Sequence, residues 1–213
     1  MDGHALLLSK FCLDCKPWHL CETAANPLTK YELHNLPPVA WQDSSLRDWL
    51  NGEFAANAFS RKELHGIRAQ DGTGSRITLP TEEEMKHYFT QDNLRAAKPT
   101  PYAVTQGALV YSFSDSAPQY REHVGNTLYW LRDLSKKPEK SALSGDAGIV
   151  SVYWDGSFSV NCYYFNKLAV RPSFWLDLES AFGKRHARTL IDAWKKEKNT
   201  FNRHFDVVQD SQQ

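Results

Sequence analysis

Net charge is the first thing this sequence lacks. Its 25 lysines and arginines balance 25 aspartates and glutamates, so no global field draws the chain to nucleic acid or to an anionic membrane, and an electrostatic partner has to be recognised locally. No apolar run approaches the length of a membrane-spanning helix. The opening Met1-Asp-Gly-His-Ala-Leu-Leu-Leu-Ser-Lys10 has no basic leader, and its apolar run is too short for a signal peptide. Four cysteines in a chain of 213 residues do not make the disulfide framework of a small secreted domain. The expectation is a cytoplasmic protein with reduced thiols and no membrane partner. Two ligand motifs are also missing. Asp71-Gly-Thr-Gly-Ser75 lacks the Gly-Lys-Ser/Thr ending of a phosphate loop, and no clustered Asp/Asn/Glu loop suits calcium.

Aromatic residues are abundant instead, at 13% with seven tryptophans. They concentrate between Gly125 and Leu178. Ile149-Val-Ser-Val-Tyr-Trp154, then Asp155-Gly156, then Ser157-Phe-Ser-Val-Asn-Cys-Tyr163 is a strong hairpin signal, because Asp-Gly readily adopts the positive φ angles of a tight turn. A two-residue loop at Asp155-Gly156 would oppose Tyr153 to Phe158, Ser151 to Val160 and Ile149 to Cys162, a mostly apolar face assigned to the core. Val150, Val152 and Trp154 would then share the other face with Ser157, Ser159, Asn161 and Tyr163. Such a mixture of aromatic, hydroxyl and amide groups suits a recognition surface, although helices or a second sheet could equally cover it. A bulge or a three-residue loop would exchange the faces.

The flanking runs complete a pattern. Tyr129-Trp-Leu-Arg132, a variable insert, the hairpin with Asp155-Gly156, and Leu168-Ala-Val-Arg-Pro-Ser-Phe-Trp-Leu176 resemble a widespread bacterial family of uncharacterised domains with a Tyr-Trp-Leu-Arg…Val-Arg-Pro signature. Leu6-Leu-Leu-Ser-Lys10, Trp41-Gln-Asp-Ser-Ser-Leu-Arg-Asp-Trp-Leu-Asn51 and Ala58-Phe-Ser-Arg-Lys-Glu63 extend the resemblance toward the N-terminus. More distantly the pattern is similar to the C-type-lectin-like fold of formylglycine-generating enzymes and of the variable proteins of diversity-generating retroelements. The resemblance implies a single compact α+β domain over residues 1–178, a twisted antiparallel sheet flanked by two or three short helices, presenting a ligand surface from its C-terminal strands and loops.

Along the chain, Ala5–Ser9 reads as a first strand. Cys12 and Cys15 have the spacing of a zinc half-site with His19 and Cys21 close behind, but the loop is cramped and a second well-spaced pair is missing; the alternative is small apolar side chains facing a core. Asp43 and Ser44 cap a helix with Leu46, Trp49, Leu50 and Phe54 on one stripe, which Asn51-Gly52 would end or fray. Ser60–Glu63 and Thr81–Glu84 are capping boxes opening further helices, the second carrying Met85, Tyr88 and Phe89 inward. Asp48, Glu53 and Glu63 read as solvated or capping carboxylates rather than an acid–base pair. Arg76–Leu79 and Ala108–Phe113 read as strands. Arg132 and Arg171 read as structural arginines stacked on aromatics or paired with Asp133 or Asp177.

Beyond Leu178 the character changes. Residues 179–213 are expected to form an appendage whose helix, from Gly183 to Lys198, carries Leu190, Ile191 and Trp194 on an apolar stripe and Lys184, Arg185, Arg188, Lys195 and Lys196 as contacts for a partner or for phosphates. The leading functional expectation is a non-catalytic binding module for a protein or other ligand, using Trp154, Ser157, Ser159, Asn161 and Tyr163. The alternative is an accessory subunit of a nucleic-acid-associated complex engaged through the basic helix. A formylglycine-generating oxidase ranks lower: in that family a C-terminal cysteine pair holds copper, and Cys162 stands alone there. No cofactor is called for.

Overall fold

The computed structural model describes residues 3–20, 39–70, 72, 74–112, 118–135, 148–161, 167–180, 184–185 and 205–208. The fold is α+β, with mainly antiparallel sheets and short helices. In chain order its elements are strands β1 (His4–Ser9) and β2 (Asp14–Pro17), helices α1 (Ser45–Trp49), α2 (Ala55–Ala58), α3 (Arg61–His65), α4 (Glu82–Tyr88), α5 (Asp92–Arg95) and α6 (Pro101–Thr105), and strands β3 (Tyr129–Leu134), β4 (Ile149–Val152), β5 (Phe158–Asn161), β6 (Lys167–Val170), β7 (Ser173–Asp177) and β8 (Phe205–Val208). The helices are more numerous and shorter than the two or three expected.

There are two sheets where one was expected. A three-stranded sheet has the order β7-β1-β8, and a five-stranded sheet has the order β2-β6-β3-β4-β5. The pairings are antiparallel apart from the meeting of β3 with β6, which run parallel at Tyr129 and Ala169. The uninterrupted apolar run of β1 explains its central position: Ala5 through Ser9 are all buried, as a strand covered on both faces must be.

Two apolar clusters form the core. One gathers Trp18, Trp41 and Trp130 with Leu7, Leu46, Leu50, Ile77, Ile149 and Leu176. Trp18 is tilted against Trp41 at 5.6 Å and edge-on to Trp130 at 6.0 Å. Two of the three indole N–H groups are satisfied by backbone, Trp18 Nε1 donating to Val39 O at 3.0 Å and Trp130 Nε1 to Lys16 O at 2.9 Å. The other cluster holds Leu8, Cys12, Cys15, Met85, Tyr129, Leu131, Val150 and Val152.

Helix boundaries follow local chemistry. Ser44 accepts the Arg47 N–H to cap α1, and both capping boxes form, Ser60 with Glu63 and Thr81 with Glu84. Gly66 closes α3. Asn51-Gly52, however, does not end the first helix. The chain passes through a π-helical turn at Leu50–Phe54 and continues into α2. Asn51 explains the wider turn: its Nδ2 donates to Arg47 O and Ile77 O, while its Oδ1 accepts the N–H groups of Arg76 and Ile77. One side chain thus fastens the helix to the Arg76–Leu79 segment. That segment is extended with buried Ile77 and Leu79 but forms isolated bridges rather than a strand, as does Val110, which pairs with Thr127.

Candidate functional site: the β4–β5 hairpin and the cleft beside it

The hairpin forms, with a turn one residue longer than the sequence pattern implies. Val152 opposes Phe158, Ser151 opposes Ser159, Val150 opposes Val160 and Ile149 opposes Asn161. The Tyr153 N–H donates to Ser157 O, and the Gly156 N–H donates back to Tyr153 O. Gly156 takes φ +90°, so the positive-φ residue closes a three-residue loop of Trp154, Asp155 and Gly156. The faces are exchanged accordingly. Val150 and Val152 now pair with Val160 and Phe158, whereas Ser151 and Ile149 pair with Ser159 and Asn161. Trp154 leaves the strand face altogether and sits at the tip.

There it finds other aromatics. Tyr111 stacks on Trp154 at 4.0 Å and 11°, Tyr120 meets it edge-on at 5.5 Å, and His123 and Tyr153 lie tilted at 5.3 and 5.1 Å. Tyr111, His123, Tyr153 and Trp154 are partly exposed, and Tyr120 is exposed. Leu109, Val110 and Val124, in the same segments as Tyr111 and His123, are exposed large apolar side chains. The cluster is held from below. Asn126 Nδ2 donates to Trp154 O at 3.0 Å, and Arg95 Nε donates to Gly156 O at 2.9 Å. Arg95 is buried, also bonds Phe89 O and the Asp92 carboxylate, and lies 4.6 Å over the Phe158 ring. Gly156 is pressed against α5 so closely that an added Cβ would stand 1.6 Å from Asp92 O. Backbone bonds to two side chains and a hard steric stop make this tip a preorganised platform.

Of the residues expected to bind ligand, Trp154 and Ser157 share the tip. The Ser157 hydroxyl and N–H both donate to Asp155 Oδ1, at 2.6 and 2.9 Å, so this serine shapes the turn. Ser159 lies further along β5, on the wall of a cleft. Asn161 ends β5, and its side chain, like Cys162 and Tyr163, lies outside the described residues.

That cleft, about 1270 Å³ and open to solvent, runs between β5, the end of β3, α4 and Trp41. Phe158, Ser159 and Val160 form one wall; Glu82, Glu83, Lys86, Arg132 and Asp133 line the rest. Sequence reasoning missed it because its walls come from six separate stretches of chain. Its charges are largely matched. Lys86 pairs with Glu82 and lies 5.2 Å from the Phe158 ring centroid. Arg132 reaches Glu84 Oε1 and Gln70 Oε1, each at 3.3 Å, so its carboxylate partner is Glu84 rather than Asp133. Asp133 accepts the Glu82 N–H at 2.6 Å. Burial nevertheless raises its carboxyl pKa above the ordinary value, opposed by the Glu82 N–H and Arg132 and assisted by the carboxylates of Glu82 and Glu84. Trp41 Nε1 and Gln70 Nε2, on residues that line the same cleft, are buried without a protein partner.

The remaining candidates are scattered. Cys12 and Cys15 are free, buried thiols in the second core cluster. Burial pushes the Cys12 pKa up to about 12, despite Arg171, and that of Cys15 up to about 11, with Asp14 adding to the rise. Neither is poised as a thiolate for metal or nucleophilic chemistry. The His19 ring accepts the Ser45 N–H through Nδ1 at 3.2 Å, and Cys21 lies outside the described residues. No group of three metal-ligating side chains occurs among the described residues. Arg171 is buried and structural, stacked on aromatics as expected at 5.4 Å from the Tyr129 ring centroid and 6.0 Å from that of Phe89, and its hydrogen-bond partners are not carboxylates: Nε donates to Ser9 O, and Nη1 to Arg95 O and the Tyr129 hydroxyl. Asp48 is an exposed partner of Arg47, and Glu63 serves its cap. Lys184 and Arg185 are helical and exposed, whereas Arg188, Lys195 and Lys196 fall outside the described residues. Among the described residues no helix is long and apolar enough to cross a membrane.

No curated protein and no solved structure matches the chain. A family of uncharacterised domains does, across the elements from β1 to the end of β7. On that match over residues 2–178, the chain belongs to the family described as Domain of unknown function (DUF6273).

Proposed function

We propose that this chain is a non-catalytic binding module whose ligand surface is the β4–β5 hairpin, with a protein as its partner. The observation that carries the reading is the aromatic cluster at the hairpin tip. A Tyr111–Trp154 stack, flanked by Tyr120, His123 and Tyr153, is partly exposed yet fastened by Asn126 and Arg95. Large aromatics held rigidly at a surface lose little conformational freedom on association, and they are over-represented among residues that dominate binding energy. Exposed Leu109, Val110 and Val124 add the apolar area that a protein partner would cover. The cleft continues the surface along β5, where Ser159 and Phe158 offer a polar and an apolar contact, and where the unpartnered N–H groups of Trp41 and Gln70 suit a carbonyl-bearing ligand.

Pairing in the cleft argues against acid–base catalysis as its purpose. Lys86 and Arg132 are each committed to a glutamate, so neither cation is held free for a reacting group. The distant C-type-lectin-like relationship belongs to the same proposal; the α+β architecture with antiparallel C-terminal strands is in keeping with it.

The test is affinity capture from native lysate with wild-type protein, a Trp154→Ala/Tyr120→Ala variant and a chain ending at Leu178, each checked by circular dichroism. A protein partner retained by the wild type and lost from the folded double variant is the expected result. Undiminished capture by that variant, or its unfolding, overturns the proposal. Loss only on truncation transfers the function to the basic C-terminal segment, and a salt-sensitive nucleic acid in the capture would identify the nucleic-acid reading.

A further inference from the structure

β1 is flanked by two strands of different standing. β7 lies within the family domain, which ends at residue 178, while β8 lies beyond it. β8 nevertheless completes the smaller sheet, pairing Phe205 with Ser9, Asp206 with Leu8, Val207 with Leu7 and Val208 with Leu6. On the opposite edge β7 pairs Ser173 with Leu8 and Asp177 with His4. Both neighbours run antiparallel to β1, so they run parallel to each other. The chain leaves β7 at the His4 end of β1 and re-enters at the Ser9 end, and residues 179–204 provide that return.

Without β8, the family domain would present Leu6–Ser9 as an open edge. Its composition is wrong for one. Leu6, Leu7, Leu8 and Ser9 are uncharged and buried, whereas edge strands are usually protected by charge, proline or brevity. β2, at the end of the larger sheet, has that protection in Asp14-Cys-Lys-Pro17. An apolar edge with unpaired backbone groups is a template for strand addition.

We infer that the outer edge of β1 is a strand-receiving site of the family domain, occupied here by Phe205–Val208 acting as a tethered ligand. The ligand class is a short extended peptide, aromatic and β-branched in composition, laid antiparallel to β1. Four residues of ladder bind weakly as a free peptide; carriage on the same chain as β1 raises their effective concentration. The strand is therefore exchangeable, for the same strand of a second copy or for a partner segment of like composition.

The experiment uses the full chain carrying Asp206→Pro, which removes the backbone N–H that faces Leu8 in the ladder and disfavours the paired strand, and a fluorescent peptide of residues 201–213. The peptide is expected to bind this variant at least tenfold more tightly than the wild type, whose site is filled. Hydrogen exchange at the Leu6 and Leu8 amides, which face β8, should accelerate in the variant and slow again when peptide is added, while the Ser9 amide stays bonded to Pro172 O. A wild-type dimer that Asp206→Pro dissolves would place the strand in a second copy and uphold the site. Equal peptide binding to both proteins, no binding to either, or unchanged exchange at Leu6 and Leu8 would overturn the inference. So would loss of cooperative unfolding in the variant, since β8 would then be integral to the fold.

Discussion

Trp130 and Trp154 occupy opposite ends of what a tryptophan can do in this molecule. Trp130 is wholly buried, packed against Trp18, with its N–H given to Lys16 O. Trp154 also has aromatic company, but on a turn, with one ring stacked on it and others at its edges, and with solvent on the remaining side. Aromatic density in a sequence does not distinguish the two. What separates them is the backbone. Trp130 alternates within a central strand and is covered by β2 and the helical segment from Trp41, whereas Trp154 sits in a loop whose geometry is set by the residue two positions later.

The sharpest way to break the comparison is to truncate both rings. Trp130→Ala should cost about 4 kcal/mol, the range for emptying a core of a large aromatic, while Trp154→Ala should cost about 1 kcal/mol, the scale of a surface aromatic pair. Urea denaturation of the two variants measures the difference, and similar losses would make the tip part of the core. Next in size is Gly156→Ala. It asks an L-residue to hold φ +90° and drives a methyl into Asp92 O, for a loss of about 3 kcal/mol. Near-ultraviolet circular dichroism should report that the Tyr111–Trp154 stack is disturbed in the folded fraction. The smallest effect tests the cleft rather than the tip. Burial raises the Asp133 pKa above its ordinary 3.8, so the folded state takes up a proton before the unfolded state does. Stability relative to Asp133→Asn should therefore rise as pH falls from neutral through the raised pKa, and the gain should be complete below 3.8. Parallel urea midpoints across that window are the measurement; a constant difference between the two proteins would place Asp133 in water.

The same contrast shows what was legible beforehand. Capping residues act within one turn, so Ser44, Ser60 and Thr81 announced their helices correctly. β1 was legible from a single apolar run, and the hairpin from alternation around Asp155-Gly156. Its register was not, because Asp-Gly fits both a two-residue turn and a three-residue loop with glycine at the positive-φ position; the choice is made by α5, whose Asp92 O and Arg95 lock Gly156 from outside the hairpin. Asn51 misled for a related reason. Locally it is a helix breaker, yet four hydrogen bonds to the backbone of Arg47, Arg76 and Ile77 make it the clasp that carries the helix onward. The site suffered most, since the Tyr111, Tyr120 and His123 rings and the walls of the cleft converge only through tertiary pairing such as that of Tyr111 with Asn126. Arg171 shows the limit of charge reasoning: it lies over the Tyr129 and Phe89 rings, as the stacking alternative had it, but its hydrogen-bond partners are three oxygens of neutral groups rather than a carboxylate.

The place of β1 between β7 and β8 has a consequence for biosynthesis. β1 pairs with Ser173–Asp177 and with Phe205–Val208, so neither of its ladders can close until synthesis has passed β7 and then β8. An apolar strand kept waiting that long is exposed to wrong partners, and such long-range pairing slows folding. Brisk synthesis of the span between β1 and β7 would limit how long Leu6, Leu7 and Leu8 stay uncovered.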